Sequence, residues 1–506
     1  MRQISYRLAA LLMAALLVAS CGGQQTGAGT PGVETPVTGA PTAATTPAAG
    51  TEATAAPTTE GAAEGTPAAG TEATAAATPA AGTEATAAAT PAAGAITKDN
   101  PPPVPNAEEA RQYSGATIIY YGDSVGLGGE LDRILAAQFT EDTGINVNIV
   151  AKPQDATENY AVYQRFFQAQ STDVDVMMLD VIWPAAFAPH LLDLSPKLGQ
   201  EAQEHFESIV QNNTVDGKLI AMPWFADFGM LFYRTDLLQQ YGFDAPPATW
   251  EELEQMAQTI QEGERANNPN FAGFVWQGAA YEGLTCNALE WIASAGGSIV
   301  EGGQVTVNSP EAVEMLTRAQ GWIGTISPQG VTSYKEEDAR NIFQGGNAAF
   351  MRNWPYAYAA ANQDDSPIRG MFDVAPLPMN SEGGRHVGTV GGWQLGVSRY
   401  SQNPDAAIEF VRYMTSPEVQ TYRAVVGSFV PTIQSVTTDP QVVAAMPFLE
   451  NLADVERVTR PSNEFGENYN QGSTIFFQGV SRILQGQDPA QVLPQVEQQL
   501  GRFLRG

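Results

Sequence analysis

Gly122-Asp123-Ser124-Val125-Gly126 has the clearest chemical spacing in this 506-residue chain. A serine with glycines two positions to either side, between an extended run and a helical pattern, has the layout of a nucleophile elbow. There a sharp turn exposes the hydroxyl at the edge of a sheet. Such a serine needs a base within hydrogen-bond reach to take its proton. The chain has three histidines. His190 follows a proline in a loop, His205 lies in a polar helical stretch, and His386 follows a Gly-Gly-Arg turn, so each reads as a surface residue. A glycine-rich turn at a helix start is equally suited to offering backbone N–H groups to a bound molecule. The chain has no H-E-x-x-H, no cysteine pair for zinc and no Walker loop, and Gly126-Leu-Gly-Gly lacks the dinucleotide spacing. No catalytic site assembles, and no metal or other cofactor is expected.

The Gly-Asp-Ser triplet resembles the GDS-type serine esterases, which makes an esterase the competing enzyme class. That family carries an Asp-x-x-His near its C-terminus and a Gly-x-Asn-Asp block. Here no histidine follows His386 and the block is absent. The elements around the triplet are those of an α/β protein. Thr117–Tyr121 reads as a strand, and Leu131, Ile134, Leu135 and Phe139 fall at helical spacing before Gly144. Ile145, Val147 and Ile149 alternate as a second strand, a helix covers 160–170, and a third strand ends at Asp180. Strand–helix–strand units of this length imply parallel pairing. Leu219–Phe225 and Met230–Arg234 read as strands flanking a connection at 226–229. Thr249 and Glu252 form a capping box for the next helix. Later strands are expected at 348–351, 372–375 and 394–397, and helices at 404–414, 417–426 and 489–504. So long an α/β chain exceeds one comfortable core, and two lobes are expected.

The N-terminal portion is of another kind. After Arg2 and Arg7 comes an apolar run, Leu8 to Ala19, too short for the ~20 residues that span a bilayer as a helix. Val18-Ala19-Ser20-Cys21 resembles the bacterial lipobox, which makes 1–20 a lipoprotein signal peptide and Cys21 the acylated residue. TPAAGTEATAAA then occurs at Thr66–Ala77 and again at Thr78–Ala89, and no Trp, Tyr, Phe, Lys or Arg occurs from Gly22 to Gly94. Such a stretch cannot build a core, so 21–110 is expected to be a disordered spacer. Only Cys286 is left for the folded part, which therefore holds together without an internal disulfide. The net charge of −30 argues against nucleic acid or an anionic membrane surface as the working partner.

Four segments resemble one family, the extracellular solute-binding lipoproteins of carbohydrate ABC importers. They are LAAQFTEDTGINVNIV (Leu135–Val150), AMPWFADFGMLFYRTDLL (Ala221–Leu238), GGNAAFMRNWPYAYA (Gly345–Ala359) and WQGAAYEGLTCNALEW (Trp276–Trp291). The last is most similar to trehalose/maltose and related α-glucoside binders. The resemblance implies a two-lobed, type II clam of the periplasmic-binding-protein kind, with an N-terminal lobe of 115–223 plus 380–428 and a C-terminal lobe of 224–379 plus 429–506. It implies a sugar ligand, ABC permease subunits as partners, a monomer, and membrane contact through the lipid anchor only.

Sugars ask for carboxylates, amides and guanidinium groups at their hydroxyls, and for aromatic rings at their C–H faces. Asp180 ends a strand, where open α/β sheets bind ligands. By resemblance Asp227 is the sugar-binding aspartate, and Phe225 stands where relatives often carry tyrosine. Trp354 and Trp393 match ring positions that flank the sugar, with Gly392 allowing close backbone approach. Arg460 resembles a late arginine that reaches into the cleft. Glu130, Tyr281 and Glu282 complete the expected contacts. Trp250, Trp291 and Trp322 lie on helices and are expected in the core. A receptor for a non-sugar solute, such as a polyamine or peptide, is the competing binding class.

Overall fold

The computed structural model describes residues 96–504 apart from Glu382. The expected signal peptide, Cys21 and the repeats lie outside the described residues. β1 (Thr117–Gly122) leads through α1 (Gly128–Thr143) to β2 (Asn146–Ala151), then through α2 (Ala156–Ala169) to β3 (Val176–Asp180). β1 pairs in parallel with both β2 and β3, as the strand–helix–strand pattern implies. α1 buries Leu131, Leu135 and Phe139, and Gly144 ends it at φ 75°, where a side chain would be strained. Asp155 caps α2 by accepting from the N–H groups of Thr157 and Glu158.

β4 (Met222–Phe228) and β5 (Met230–Arg234) follow. The expected connection at 226–229 is strand almost throughout, because β4 pairs across 222–228 with a strand formed much later in the chain. Asp227 therefore sits on a strand. The expected lobe join at 223/224 also falls inside β4. A second sheet forms from β5, β6 (Ala272–Val275), β7 (Ala348–Asn353) and β8 (Phe372–Ala375), in the order β8-β5-β7-β6. Around it lie α3 (Trp250–Glu264), α4 (Glu282–Ser294), α5 (Pro310–Trp322), α6 (Glu336–Gln344) and α7 (Tyr356–Ala361). Trp250, Trp291 and Trp322 belong to the core: Trp322 packs 5.2 Å from Trp250 and 5.5 Å from Trp291, ring centre to ring centre.

The chain returns to the first sheet as β9 (Val387–Val397), antiparallel to β3 on one side and to β4 on the other. α8 (Pro404–Met414) and α9 (Pro417–Gly427) cover that sheet, and β10 (Glu456–Val458) extends β9 in parallel. α10 (Tyr469–Leu484) and α11 (Pro489–Leu500) close the second lobe. The protein is a two-lobed α/β clam of type II. Between its sheets the Ala226 N–H donates to the Val430 carbonyl at 2.9 Å, and the Gly229 N–H to that of Thr389 at 3.3 Å. Three chain segments thus cross side by side.

Two further expectations need correction. The spacer does not run to 110, because from about residue 98 the chain is docked on the first lobe. Tyr422 donates to the Lys98 carbonyl at 2.6 Å, Tyr413 to that of Pro102 at 2.7 Å, and the Val104 N–H to Asp142 at 2.8 Å. Ile96 and Val104 add apolar contact with the same core. His205 is not a surface residue either. It is 6% exposed and shares a 2.8 Å hydrogen bond with Thr432, and burial pushes its pKa down to about 4. A histidine whose folded pKa is depressed stabilises fully above its unfolded value near 6.5, and loses that contribution as pH falls toward 4. His205→Gln will therefore remove up to about 3 kcal/mol of acid destabilisation. Urea midpoints of both proteins at pH 7 and pH 4.5 check this, and an equal acid loss in the two would refute it.

Candidate functional site

A cleft between the lobes holds about 710 Å³ of atom-free space, its mouth included. One wall is the C-terminal edge of the first sheet, with Asp123 after β1, Lys152 after β2 and Asp180 at the end of β3. The opposite wall comes from Tyr281 and Glu282 at the start of α4, Glu336 at the start of α6, and Trp354 and Tyr356 after β7. The crossing strands form the floor with Phe225, Asp227, Gly391, Gly392 and Trp393. Gly392 is required there: its φ is 119°, and a Cβ would come within 2.6 Å of the Phe225 carbonyl.

All the expected contact residues of the folded part line this cleft except Glu130. Glu130 lies outside it and pairs with Lys98 at 2.9 Å, so it clamps the docked N-terminal segment. Arg460 holds Asp180 through both nitrogens, at 2.6 and 3.2 Å, and reaches Glu282 at 3.0 Å. Glu282 also accepts from Tyr469 at 2.5 Å and Ser473 at 2.7 Å. Burial raises the Glu282 pKa and the Arg460 charge opposes it. Asp180, on the first lobe, is thus neutralised by an arginine from the last part of the chain, and Glu282 has little accepting capacity left.

Asp227 is in the opposite condition. It is 9% exposed, and its Oδ1 is buried with no hydrogen-bond partner among the described residues. Burial, then repulsion from Asp123 and Asp180, pushes its pKa well above the usual carboxylate range. A Cβ on Gly391 would lie 3.2 Å from both the Asp227 Cβ and the Trp354 ring, so the glycine lets carboxylate and ring close in on one spot. Behind Trp354, at 3.9 Å from its ring centre, lies the Arg352 guanidinium. Arg352 is itself held by Glu290 at 2.5 and 2.9 Å, each side chain only 1% exposed.

The glycine–serine turn also reaches the cleft, though through other residues than Ser124. Asp123 and Val125 line it. Asp123 accepts from the N–H groups of Ser124 and Val125, and donates its own N–H to Asp132 at 2.8 Å. Burial pushes Asp132 up to about 6, while its ion pair with Arg423 at 2.7 Å opposes that rise. The Ser124 hydroxyl has no partner among the described residues. No histidine serves it: His190 bonds Tyr400, His205 bonds Thr432, and His386 bonds the Leu377 carbonyl at 2.7 Å. Sequence reasoning missed Asp123, Lys152, Glu336 and Tyr356 as cleft residues. Only their places at strand ends and helix starts could have signalled them.

At the mouth the lobes touch directly. Lys335, preceding α6, pairs with Asp155 at 2.9 Å, and the Glu282 N–H donates to Thr157 at 3.2 Å. The structure is that of a clam with its lips in contact.

The profile of the bacterial extracellular solute-binding proteins matches residues 121–421. The chain belongs to that family. A Deinococcus radiodurans relative, described as a probable ABC transporter-binding protein, is 49% identical over 400 residues. The match covers 78% of this chain and 95% of that one. The solved structure "Maltose bound T. maritima MalE3" shares 39% identity with a TM-score of 0.73, over 77% of this chain and all of that one. The maltodextrin-binding protein MdxE of Bacillus subtilis is 24% identical over 55% of this chain and 64% of its own length. As a family 1 solute-binding protein, the chain is the substrate-binding component of an ABC transporter and has sugar-binding homologues. None of the described helices is long and apolar enough to cross a membrane.

Proposed function

We propose that this solute-binding protein captures a disaccharide or short oligosaccharide of the trehalose/maltose-like α-glucoside class and delivers it to its permease. The observation that carries this reading is Asp227, a buried carboxylate without a donor, set beside the Trp354 ring. Leaving such a group unsatisfied costs free energy that a bound hydroxyl recovers. The ring beside it supplies a face for sugar C–H groups. The 39% identity to a maltose-bound structure favours a glucoside over a polyamine or peptide. Asp180 and Arg460 contribute through a shared network, and Phe225, Tyr281, Gly392 and Trp393 shape the floor and walls.

A thermal-shift panel of trehalose, maltose and sucrose with amino acids, peptides and polyamines tests the reading. A ligand at 100 times its dissociation constant adds about 2.7 kcal/mol. Stabilisation by a non-sugar solute and by none of the disaccharides would remove it.

We place the protein on the outer face of a cell membrane as a monomer, held by acylated Cys21 on a Thr/Ala/Pro/Gly spacer. Two acyl chains anchor stably where one is marginal. Cys21→Ser will release the protein from membranes without altering sugar binding. Cell fractionation reads this, and full membrane retention of the variant would point to another anchor.

A further inference from the structure

Lys152 lines the cleft and takes no part in the Asp180–Arg460–Glu282 network. It follows β2, and its N–H donates to the Gly122 carbonyl at 3.1 Å, beside the glycine–serine turn. The residue is 3% exposed, and its ammonium lies 4.2 Å from the Trp393 ring centre. Asp123, Glu336, Asp180 and Asp132 all attract the charge, yet burial outweighs them and lowers the pKa. Among the described residues the ammonium makes no ion pair and no hydrogen bond. A lysine ammonium has three N–H donors and no acceptor. The Nζ atom is not sealed in the protein but opens onto the cleft, where a bound ligand's oxygen can replace water at its N–H groups.

From this geometry we infer that Lys152 is a specificity-determining contact of the ligand site. Trp393 fixes the ammonium by its ring face, and its free N–H groups donate to an oxygen of the bound sugar. Ionised Asp227 accepts only, whereas the Lys152 ammonium donates only, so with Asp227 in its charged form the two give the cleft a direction. A sugar hydroxyl that donates is read at the floor, and an oxygen that accepts is read at the wall of the first lobe. A saccharide lacking the second oxygen leaves a buried charge unpaired and is rejected, as polar sites reject deoxy analogues. The inference rests on the sugar reading and names the residue that sets its selectivity.

The test is Lys152→Met, which keeps the length and apolar stem of the side chain and removes the charge. Calorimetry on the whole protein with maltose and trehalose reads affinity, and thermal unfolding without sugar reads stability. The expected result is an affinity loss of about tenfold or more, with an unliganded melting temperature equal to or above that of the wild type. Affinity within about twofold of wild type overturns the inference while leaving the sugar reading intact. A variant that loses stability along with affinity assigns Lys152 to holding the fold, and also overturns it. A wild type that binds neither sugar nor any other disaccharide overturns both.

Discussion

Arg352→Met will lower the stability of the unliganded protein by about 3–5 kcal/mol, the usual loss when one partner of a buried ion pair is removed. Arg352 and Glu290 are each 1% exposed, so neither has water to fall back on. Without the guanidinium, Glu290 keeps only the Thr389 N–H at 3.1 Å. Gln277 loses its own bond to Arg352 at 3.2 Å, and the carboxylate is left as a nearly bare buried charge. The double variant Arg352→Met/Glu290→Met removes both charges and should recover most of the loss, since paired apolar replacements are often neutral or better. Urea denaturation of wild type, single and double variants decides the matter. A single-variant loss below about 1 kcal/mol, or a double variant no better than the single, would show that the pair holds little of the fold. Because Arg352 also lies under the Trp354 ring, the double variant should bind sugar more weakly even where its stability is restored.

Asp227→Asn and Trp354→Ala should each weaken sugar binding while leaving the unliganded fold intact or firmer. The carboxylate's bond to a sugar hydroxyl is charge-assisted, and such bonds contribute about 1.5–3 kcal/mol. A buried aromatic anchor is of the order of 2 kcal/mol or more. The two substitutions part company in their pH dependence. The folded pKa of Asp227 is raised, so its contribution to stability is intact below the unfolded value near 3.9 and is lost as pH rises through the folded value. Asparagine has no such loss, and the stability advantage of Asp227→Asn over wild type should widen as pH rises out of the acid range. Calorimetric titration with maltose and trehalose, beside melting curves at several pH values, reads both effects. If both variants keep wild-type affinity for every disaccharide the protein binds, the sugar contact assigned to these two residues is wrong.

The elements whose signals are local could be read from the sequence. β1, α1 and β2 follow from apolar alternation, helical spacing and Gly144, and α3 from its capping box. β9 was legible only over its last four residues, because Gly388, Gly391 and Gly392 lower β propensity, and the backbone beside Gly388 and Gly392 and the Asp227 and Trp354 side chains beside Gly391 come close only in the folded protein. β4 was expected to end at Phe225, since nothing local shows that a strand more than 150 residues later will pair with 226–228 as well. α10 starts Tyr-Asn-Gln-Gly-Ser-Thr, a run of weak helix formers that the packing of Phe476, Phe477 and Val480 overrides. At the site, the placement of Asp227, Trp354, Trp393 and Arg460 came from the family resemblance. Lys152 and Asp123 escaped because a charged residue after a strand has no signature until the opposite wall exists.

The order of the first sheet has a consequence for how the protein is made. β3 finds its neighbour in β9, and the ion pair of Arg423 with Asp132 spans 291 residues of chain. Neither lobe is a continuous stretch, so a ribosome that has delivered β1 to β4 has not delivered a foldable unit. The first lobe can be finished only when β9 and α9 emerge, and contacts of such separation form slowly. For a member of an extracellular family, that delay keeps the chain threadable until nearly all of it has been synthesised.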